Sequence, residues 1–264
     1  MRIWSKASGL TSSMKANVFI ASIPEHPDPL DQFNLTKLMT QDGRMKARWI
    51  NLYGVHPLDR KSNTKGKKEG SMWLGRVLIA FNMVSNDRPQ LQSQVGSQIN
   101  EPKTLDYKIW VDLYKIVDCE IVPKGSQIWA VISIGPVPAQ TSKAFVYNEA
   151  KNLYKYKDVK VETPDFEHIS TLPADQSQIP DIFIDMYTTS SLSNKEFRFA
   201  YIRLKAVDCI STRSRPTWYR LCSPYNDTGS KNIGSLQANI QLLKWYSDPT
   251  IGPARVPKQR KGKQ

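Results

Sequence analysis

The sequence lacks two features that would quickly assign it to a class of protein. It has only three cysteines, Cys119, Cys209 and Cys222, too few and too far apart for a disulfide framework or a structural zinc site. Its longest apolar run, residues 77–84, is far shorter than the ~20 residues that span a bilayer, and the N-terminus has no signal-peptide core. We therefore expect buried free thiols and a cytoplasmic chain without a membrane span of its own.

The sequence also lacks a recognisable catalytic pattern. Its three histidines, His26, His56 and His168, have no partner at the spacing of a catalytic or metal-ligating pair. There is no glycine-rich phosphate loop and no Cys-x-x-Cys pair. We therefore predict a protein that is not an enzyme.

Positive charge is abundant and unevenly distributed. The 264 residues carry a net charge of +13, and 40% of them are apolar, as in a folded globular protein. Residues 1–100 contain 14 basic and 7 acidic side chains, whereas residues 101–249 contain 18 and 17. Such an excess indicates a polyanionic partner, which is either nucleic acid or an anionic membrane surface.

Short alternating runs recur along the chain, and a helical stripe is almost absent. Polar turns separate the runs, a pattern typical of an antiparallel all-β sandwich. The candidate strands are residues 18–22, 48–53, 76–81, 107–114, 128–134, 144–147, 155–161, 181–186, 197–204, 217–221 and 235–243. All seven tryptophans lie in or beside these runs, so we expect most of them, Trp110 and Trp129 included, to pack in the core.

Two segments interrupt this pattern. Residues 82–104 lose apolar periodicity and gain Gln, Ser, Asn and Pro, which is the composition of a linker. Residues 248–264 combine Pro and Gly with five basic residues. We expect a domain boundary in the first segment and a disordered basic tail in the second.

Several stretches resemble parts of a C2 domain. Residues 181–204 (DIFIDMYTTSSLSNKEFRFAYIRL) are similar to its strand six, loop three and strand seven. Residues 107–134 resemble its first two strands, and residues 152–154 (NLY) stand where C2 domains have Asn-Pro-x-Trp. Residues 49–54 (WINLYG) followed by 70–78 (GSMWLGRVL), and later 216–221 (PTWYRL) followed by 234–238 (GSLQA), resemble signatures that close successive C2 domains of ferlins.

The resemblance to ferlins, which are multi-C2-domain membrane-trafficking proteins, implies a domain scheme. Residues 1–84 would be the C-terminal strands of one C2 sandwich, because residues 2–8 and 17–23 match the same strand-six to strand-seven stretch. Residues 85–104 would be a linker, 105–246 a complete antiparallel C2 sandwich, and 247–264 a basic disordered tail. The chain would then be a fragment of a longer parent protein that carries the membrane anchor of ferlins.

The same resemblance implies that calcium is not a cofactor. C2 domains hold calcium with about five carboxylates from loops one and three, because this cation takes about 6 to 8 oxygen ligands. The corresponding positions here are Gln127, Thr188, Ser190 and Glu196, of which only one is a carboxylate. We therefore expect no calcium and no other cofactor.

A basic cluster on strands three and four is the feature with which C2 domains meet anionic headgroups. The candidates for lipid binding at this place are Lys143, Lys151, Tyr154, Lys155, Lys157 and Lys160. We expect Lys155 and Lys157 to project from one strand face, since side chains repeat every second residue. The alternative is a solvated strand face of mixed charge. The expected membrane-facing loop residues are Val122, Pro123, Lys124, Ser191 and Leu192.

These observations predict a non-catalytic C2 segment that lies peripherally on an anionic phospholipid membrane in vesicle trafficking or membrane fusion. Two alternatives stay open. A protein-interaction module, for example one that contacts neighbouring C2 domains of the parent protein, would fit the near-neutral charge of residues 101–249. A nucleic-acid-binding protein would fit the basic tail and the basic loop at residues 57–70.

Overall fold

The computed structural model describes residues 2–6, 12–17, 47–54, 56, 70–79, 101–159, 164–189, 195–210, 215–224 and 233–245, the first two ranges as backbone alone. These residues form fourteen strands and three short 3-10 turns. The strands are β1 Arg2–Lys6, β2 Ser12–Asn17, β3 Arg48–Gly54, β4 Met72–Ile79, β5 Thr104–Val117, β6 Ile128–Ile134, β7 Val137–Thr141, β8 Val146–Asn148, β9 Leu153–Lys155, β10 Phe166–Pro173, β11 Ile182–Thr189, β12 Glu196–Leu204, β13 Thr217–Arg220 and β14 Ser235–Lys244. The turns are Glu149–Lys151, Gln176–Gln178 and Ala206–Cys209.

Strand β5 organises the first of two large sheets. One edge of β5 pairs antiparallel with β14, and the other edge pairs first with β10 and then with β9. The order across this sheet is β13-β14-β5-β9-β8, with β10 beside β9 along the same edge of β5. The second sheet has the antiparallel order β12-β11-β6-β7.

The two sheets bury their facing side chains against each other. Ile109 and Val111 of β5 meet Ile132 of β6 and Ile184 of β11 in one apolar cluster, and all four are at most 1% exposed. Each buried aliphatic side chain of this size contributes about 1.5 to 3 kcal/mol of transfer free energy. The expected all-β antiparallel sandwich of C2 type is therefore confirmed, and β6 coincides with the predicted strand at residues 128–134.

The tryptophan prediction is wrong. None of the tryptophan side chains that the structure describes belongs to the core cluster. Strand alternation places Trp110 on the outer face of the first sheet together with Asp112, while Trp218 and Trp245 are 46% and 42% exposed. The thiols are free, but Cys222 is exposed rather than buried.

A β-hairpin made of β3 and β4 lies on the outer face of the second sheet. The Tyr53 ring lies 6.0 Å from the ring of Phe183, and the Arg203 guanidinium stands 4.0 Å from the centre of the Tyr53 ring. The backbone N–H of Asp181 donates to the Tyr53 hydroxyl at 2.9 Å. The hairpin is therefore a third layer over this part of the sandwich.

Arg198 anchors the hairpin from below. Its side chain is fully buried, and its guanidinium contacts Asp185 Oδ1 at 2.7 Å and donates to the Ser71 carbonyl at 3.0 Å. Arg203 donates to the neighbouring Gly70 carbonyl at 3.0 Å. Gly70 has a left-handed backbone (φ 83°), and a Cβ at this position would collide with the Arg203 guanidinium.

Several predicted features lie outside the described residues. They are the strand at residues 18–22, most of the basic loop at 57–70, most of the linker at 85–104, and the tail at 247–264. The division of the chain into a partial C2 domain, a linker, a complete C2 domain and a tail stays a prediction.

Candidate functional site: the loop end of the sandwich

One end of the sandwich, here called the loop end, gathers the loops that the sequence singles out. Residues 118–127 connect the end of β5 to the start of β6, where Ile128 pairs with Thr188 near the end of β11. Thr189 in turn pairs with Glu196 at the start of β12. The structure therefore brings the segments predicted as loops one and three to the same end of the molecule.

The positions that correspond to calcium ligands do not form an oxygen cage among the described residues. Thr188 is fully buried, and its hydroxyl donates to the Gln127 carbonyl at 2.8 Å. The side chains of Gln127 and Glu196 are exposed, and Ser190 lies outside the described residues. No three His, Cys, Asp or Glu side chains come together as a metal-ligand group in the part of the chain that the structure describes.

The predicted membrane-facing loop is only partly placed as expected. Pro123 and Lys124 are exposed, whereas Val122 is 2% exposed and packs into the core cluster. Val122 is therefore not a surface residue of the loop, because the segment folds its apolar side chain under the tip. Ser191 and Leu192 lie outside the described residues.

The predicted lysine cluster is divided by its environment. Lys143 and Lys151 are exposed, and neither forms an ion pair with a described residue. Lys155 is 45% exposed and is paired with Asp158 at 2.9 Å. Lys160 lies outside the described residues.

Tyr154 and Lys157 are not on the exposed face on which they were expected. Tyr154 is 3% exposed, and its hydroxyl donates to the Pro123 carbonyl at 2.9 Å. Lys157 lies beyond the end of β9, and its side chain is 11% exposed. The strand alternation predicted for Lys155 and Lys157 is wrong, because β9 ends at Lys155.

Lys157 is held instead in a buried charge network. Its Nζ lies 2.8 Å from Asp112 Oδ1 and 3.1 Å from Asp165 Oδ2. Asp112 also accepts from Trp110 Nε1 at 2.7 Å and from Asn239 Nδ2 at 3.2 Å. Burial lowers the pKa of Lys157, but its hydrogen bonds and charge interactions with the two carboxylates raise it by more, so the net pKa lies above 10.5.

Sequence reasoning missed a cleft of about 310 Å³ at the loop end. Its walls come from residues 116–124 and from the β8–β9 connection, and they include Asp118, Lys124, Tyr147 and Asn152. Asp118 and Asn152 have left-handed backbones (φ 54° and 47°), which are the only such non-glycine residues in the described ranges. Asn and Asp adopt this conformation more readily than other side chains, and that preference is the one signal in the sequence.

Cys119 lines the same cleft as a neutral thiol. Burial raises its pKa to about 11, against smaller opposing effects of hydrogen bonds from Ile121 and Val122. A thiol with so high a pKa is a poor nucleophile and a poor metal ligand near neutral pH, since the thiolate is the reactive form. The cleft therefore offers shape and charge rather than a reactive group.

The whole sequence was compared with curated proteins and with family profiles. It is 29% identical over 271 residues to "Ferlin 2" of Tetrahymena thermophila, and the match covers 92% of this chain. The chain is ferlin-like. It spans 16% of the length of that relative, and no family profile matches it.

Solved structures with a similar arrangement of strands are C2 domains. A C2 domain of plant extended synaptotagmin 1 aligns with 56% of this chain and 99% of its own, at 10% identity and a TM-score of 0.39. Two C2 domains of extended synaptotagmin 2 align with 63% of this chain and 48% of their own, at 15% identity and a TM-score of 0.35. No helix among the described residues is long and apolar enough to cross a bilayer.

Proposed function

We propose that this chain is a non-catalytic C2 module that docks on anionic phospholipid membranes through its loop end without binding calcium itself. The observation that carries this proposal is the position of Lys124, Lys143 and Lys151. All three are exposed at or beside the loop end, and none forms an ion pair with a described residue. Their charges are therefore available to a lipid surface.

The magnitude of the attraction is compatible with peripheral binding. A basic residue near an anionic leaflet contributes about 1 kcal/mol, so three lysines contribute about 3 kcal/mol. Lys155 adds less because Asp158 neutralises it, and Lys157 adds nothing while it is buried between two carboxylates. The net charge of +13 of the whole chain supplies a further long-range attraction. In a ferlin-like parent protein, such docking would serve vesicle trafficking or membrane fusion.

Calcium independence is supported by the chemistry of the loop positions. Calcium takes about 6 to 8 oxygen ligands, mostly from carboxylates. The Thr188 hydroxyl is engaged with the Gln127 carbonyl, and Glu196 is the one carboxylate among the four candidate positions. Docking therefore depends on lysines rather than on a bridging cation.

The experiment is co-sedimentation of the full chain with phosphatidylserine-containing vesicles and with neutral phosphatidylcholine vesicles, in calcium and in chelator. The test variant carries Lys124→Glu, Lys143→Glu and Lys151→Glu. The matched control carries Lys103→Glu, Lys205→Glu and Lys244→Glu, which change the same charge at exposed positions of the opposite end. We expect binding that survives chelator, is lost in the test variant and is retained in the control. Equal losses in both variants, or a calcium requirement, would overturn the proposal.

A protein-interaction module is the second candidate, and a feature of the first sheet favours it. On the outer face of that sheet, Lys108 is paired with Glu167 at 2.5 Å, and the other paired lysines are Lys155 and Lys157. This neutralised face also exposes Trp218, a residue type enriched in protein interfaces. Failure of the chain to bind any vesicle would favour this function, with neighbouring C2 domains as partners, whereas steeply salt-dependent binding to single-stranded DNA alone would favour nucleic acid.

A further inference from the structure

The cleft at the loop end carries charges of both signs that do not neutralise each other. Asp118 and Lys124 both line it and both are exposed. Neither forms an ion pair with a described residue, so the two charges lie more than 4 Å apart in the same cleft. An arrangement of this kind complements a ligand that itself carries one positive and one negative charge.

Two tyrosine rings form the wall between these charges. The ring centres of Tyr147 and Tyr154 are 4.9 Å apart at an angle of 50°. Tyr147 donates its hydroxyl hydrogen to Asn152 Oδ1 at 2.8 Å, and Tyr154 donates to the Pro123 carbonyl at 2.9 Å. Because both hydroxyls are engaged within the protein, the rings are fixed and present apolar surface rather than hydroxyl groups to the cleft.

We infer that this cleft binds the ammonium–phosphate headgroup of a zwitterionic phospholipid, with phosphocholine as its simplest form. The ammonium would lie beside Asp118 and the face of Tyr147, since tyrosine rings attract organic cations. The phosphate would lie toward Lys124. This inference rests on the proposed function, because it requires the loop end to face the membrane.

Other ligand classes match the cleft less well. A phosphate group alone would satisfy Lys124 but would leave the carboxylate of Asp118 without a positive group of the ligand beside it. A free divalent cation needs about 6 to 8 oxygens, whereas most of the lining is aromatic or apolar. The volume of about 310 Å³ lies at the small end of ligand pockets, which suits a headgroup rather than a whole lipid.

The test is a titration of the isotopically labelled full chain with soluble phosphocholine, followed by the amide chemical shifts of the cleft residues. Choline, which lacks the phosphate, and glycerol 3-phosphate, which lacks the ammonium, are the comparison ligands. We expect phosphocholine to shift the amides of residues 118–124 and 147–154 and to bind at least about ten-fold more tightly than either fragment. Equal affinity for glycerol 3-phosphate would reduce the cleft to a phosphate site and overturn the inference.

The variants are chosen so that the fold is preserved. Asp118→Asn keeps a side chain that tolerates the left-handed backbone and removes only the charge. We expect it to weaken phosphocholine binding about ten-fold, as we expect of Tyr147→Leu, whereas Tyr147→Phe, which keeps the ring, retains most of the affinity. Asp208→Asn, at an exposed site of the opposite end, is the control and should leave the affinity unchanged. Unaltered binding in Asp118→Asn would overturn the inference.

The two proposals fail in different ways. Docking on phosphatidylserine vesicles that is lost with the three lysine changes, together with no phosphocholine shifts, would overturn the cleft inference and leave the proposed function intact. Phosphocholine shifts in the cleft without any vesicle binding would overturn membrane docking and with it the lipid source of the headgroup.

Discussion

The two outer faces of the sandwich both bury charge, but they enclose it in different ways. On the first sheet, Lys157 is held by Asp112 and Asp165, and all three belong to the sandwich itself. On the second sheet, Arg198 is paired with Asp185 beneath a hairpin whose Ser71 carbonyl completes its hydrogen bonding. The first face is therefore self-contained, whereas the second depends on residues far away in the chain.

This difference shows which part of the protein supports which other part. A buried charge is tolerated only when partners satisfy it, and removing a partner leaves a desolvation cost that the fold must bear. Without the hairpin, the buried Arg198 would lose its contact with Ser71, and Phe183 would lose the Tyr53 ring. The hairpin is thus a structural cover of the second sheet, while the loop end and the first sheet need no such cover.

The largest effect is expected from Arg198→Met, because it leaves Asp185 buried without its cation. Removing one partner of a buried ion pair costs about 3 to 5 kcal/mol of unfolding free energy. Urea unfolding followed by circular dichroism measures this loss. Arg220→Met, at an exposed position of β13, is the control and should change stability by less than about 0.5 kcal/mol. A cost as small as that of the control would mean that the hairpin does not enclose Arg198 in solution.

A smaller loss is expected from Lys157→Met on the other face. Asp112 keeps its bonds from Trp110 and Asn239, and Asp165 keeps the bond from the Leu113 N–H, so we expect a cost of about 2 to 3 kcal/mol. Lys155→Met breaks an exposed pair with Asp158 and should cost less than about 1 kcal/mol. Equal costs in the two variants would contradict the buried position of Lys157 and restore the alternating face expected from the sequence.

The core of the sandwich could be predicted from the sequence because it depends on periodicity within short segments. The run Ile128–Ile134 alternates buried and half-buried residues, and the prediction placed this strand correctly at both ends. β7 was missed because it contains Pro138 and four exposed residues at the edge of the sheet. Alternation also cannot tell the inner from the outer face, and for this reason Trp110 was expected in the core.

The charge pairs and the cleft could not be predicted, because they depend on how distant segments come together. Asp112 is 45 residues from Lys157, and Ser71 is 127 residues from Arg198. The sequence pattern correctly marked Pro123 and Lys124 as loop residues, but it could not show that Val122 turns inward. Residue type and spacing therefore located the loop end, whereas the availability of each lysine there required the fold.

The smallest effect is expected from Tyr53→Phe, which tests the hairpin contact by its pH dependence. Burial raises the pKa of Tyr53 to about 12 from the ordinary value of 10.0, against a lowering effect of the Asp181 backbone hydrogen bond. Below pH 10 the phenol is protonated in both states, but as the pH rises from 10 to 12 the unfolded chain ionises first. The stability that the neutral phenol contributes is therefore lost across this window. At neutral pH the variant should lose about 1 kcal/mol with the Asp181 hydrogen bond, and its stability should fall less steeply than that of the natural chain between pH 10 and 12. Part of the alkaline loss remains in the variant, because Lys157 also releases its proton above 10.5. Identical alkaline slopes in the two proteins, measured by urea unfolding at each pH, would show that the Tyr53 phenol is exposed and that the hairpin does not cover Phe183.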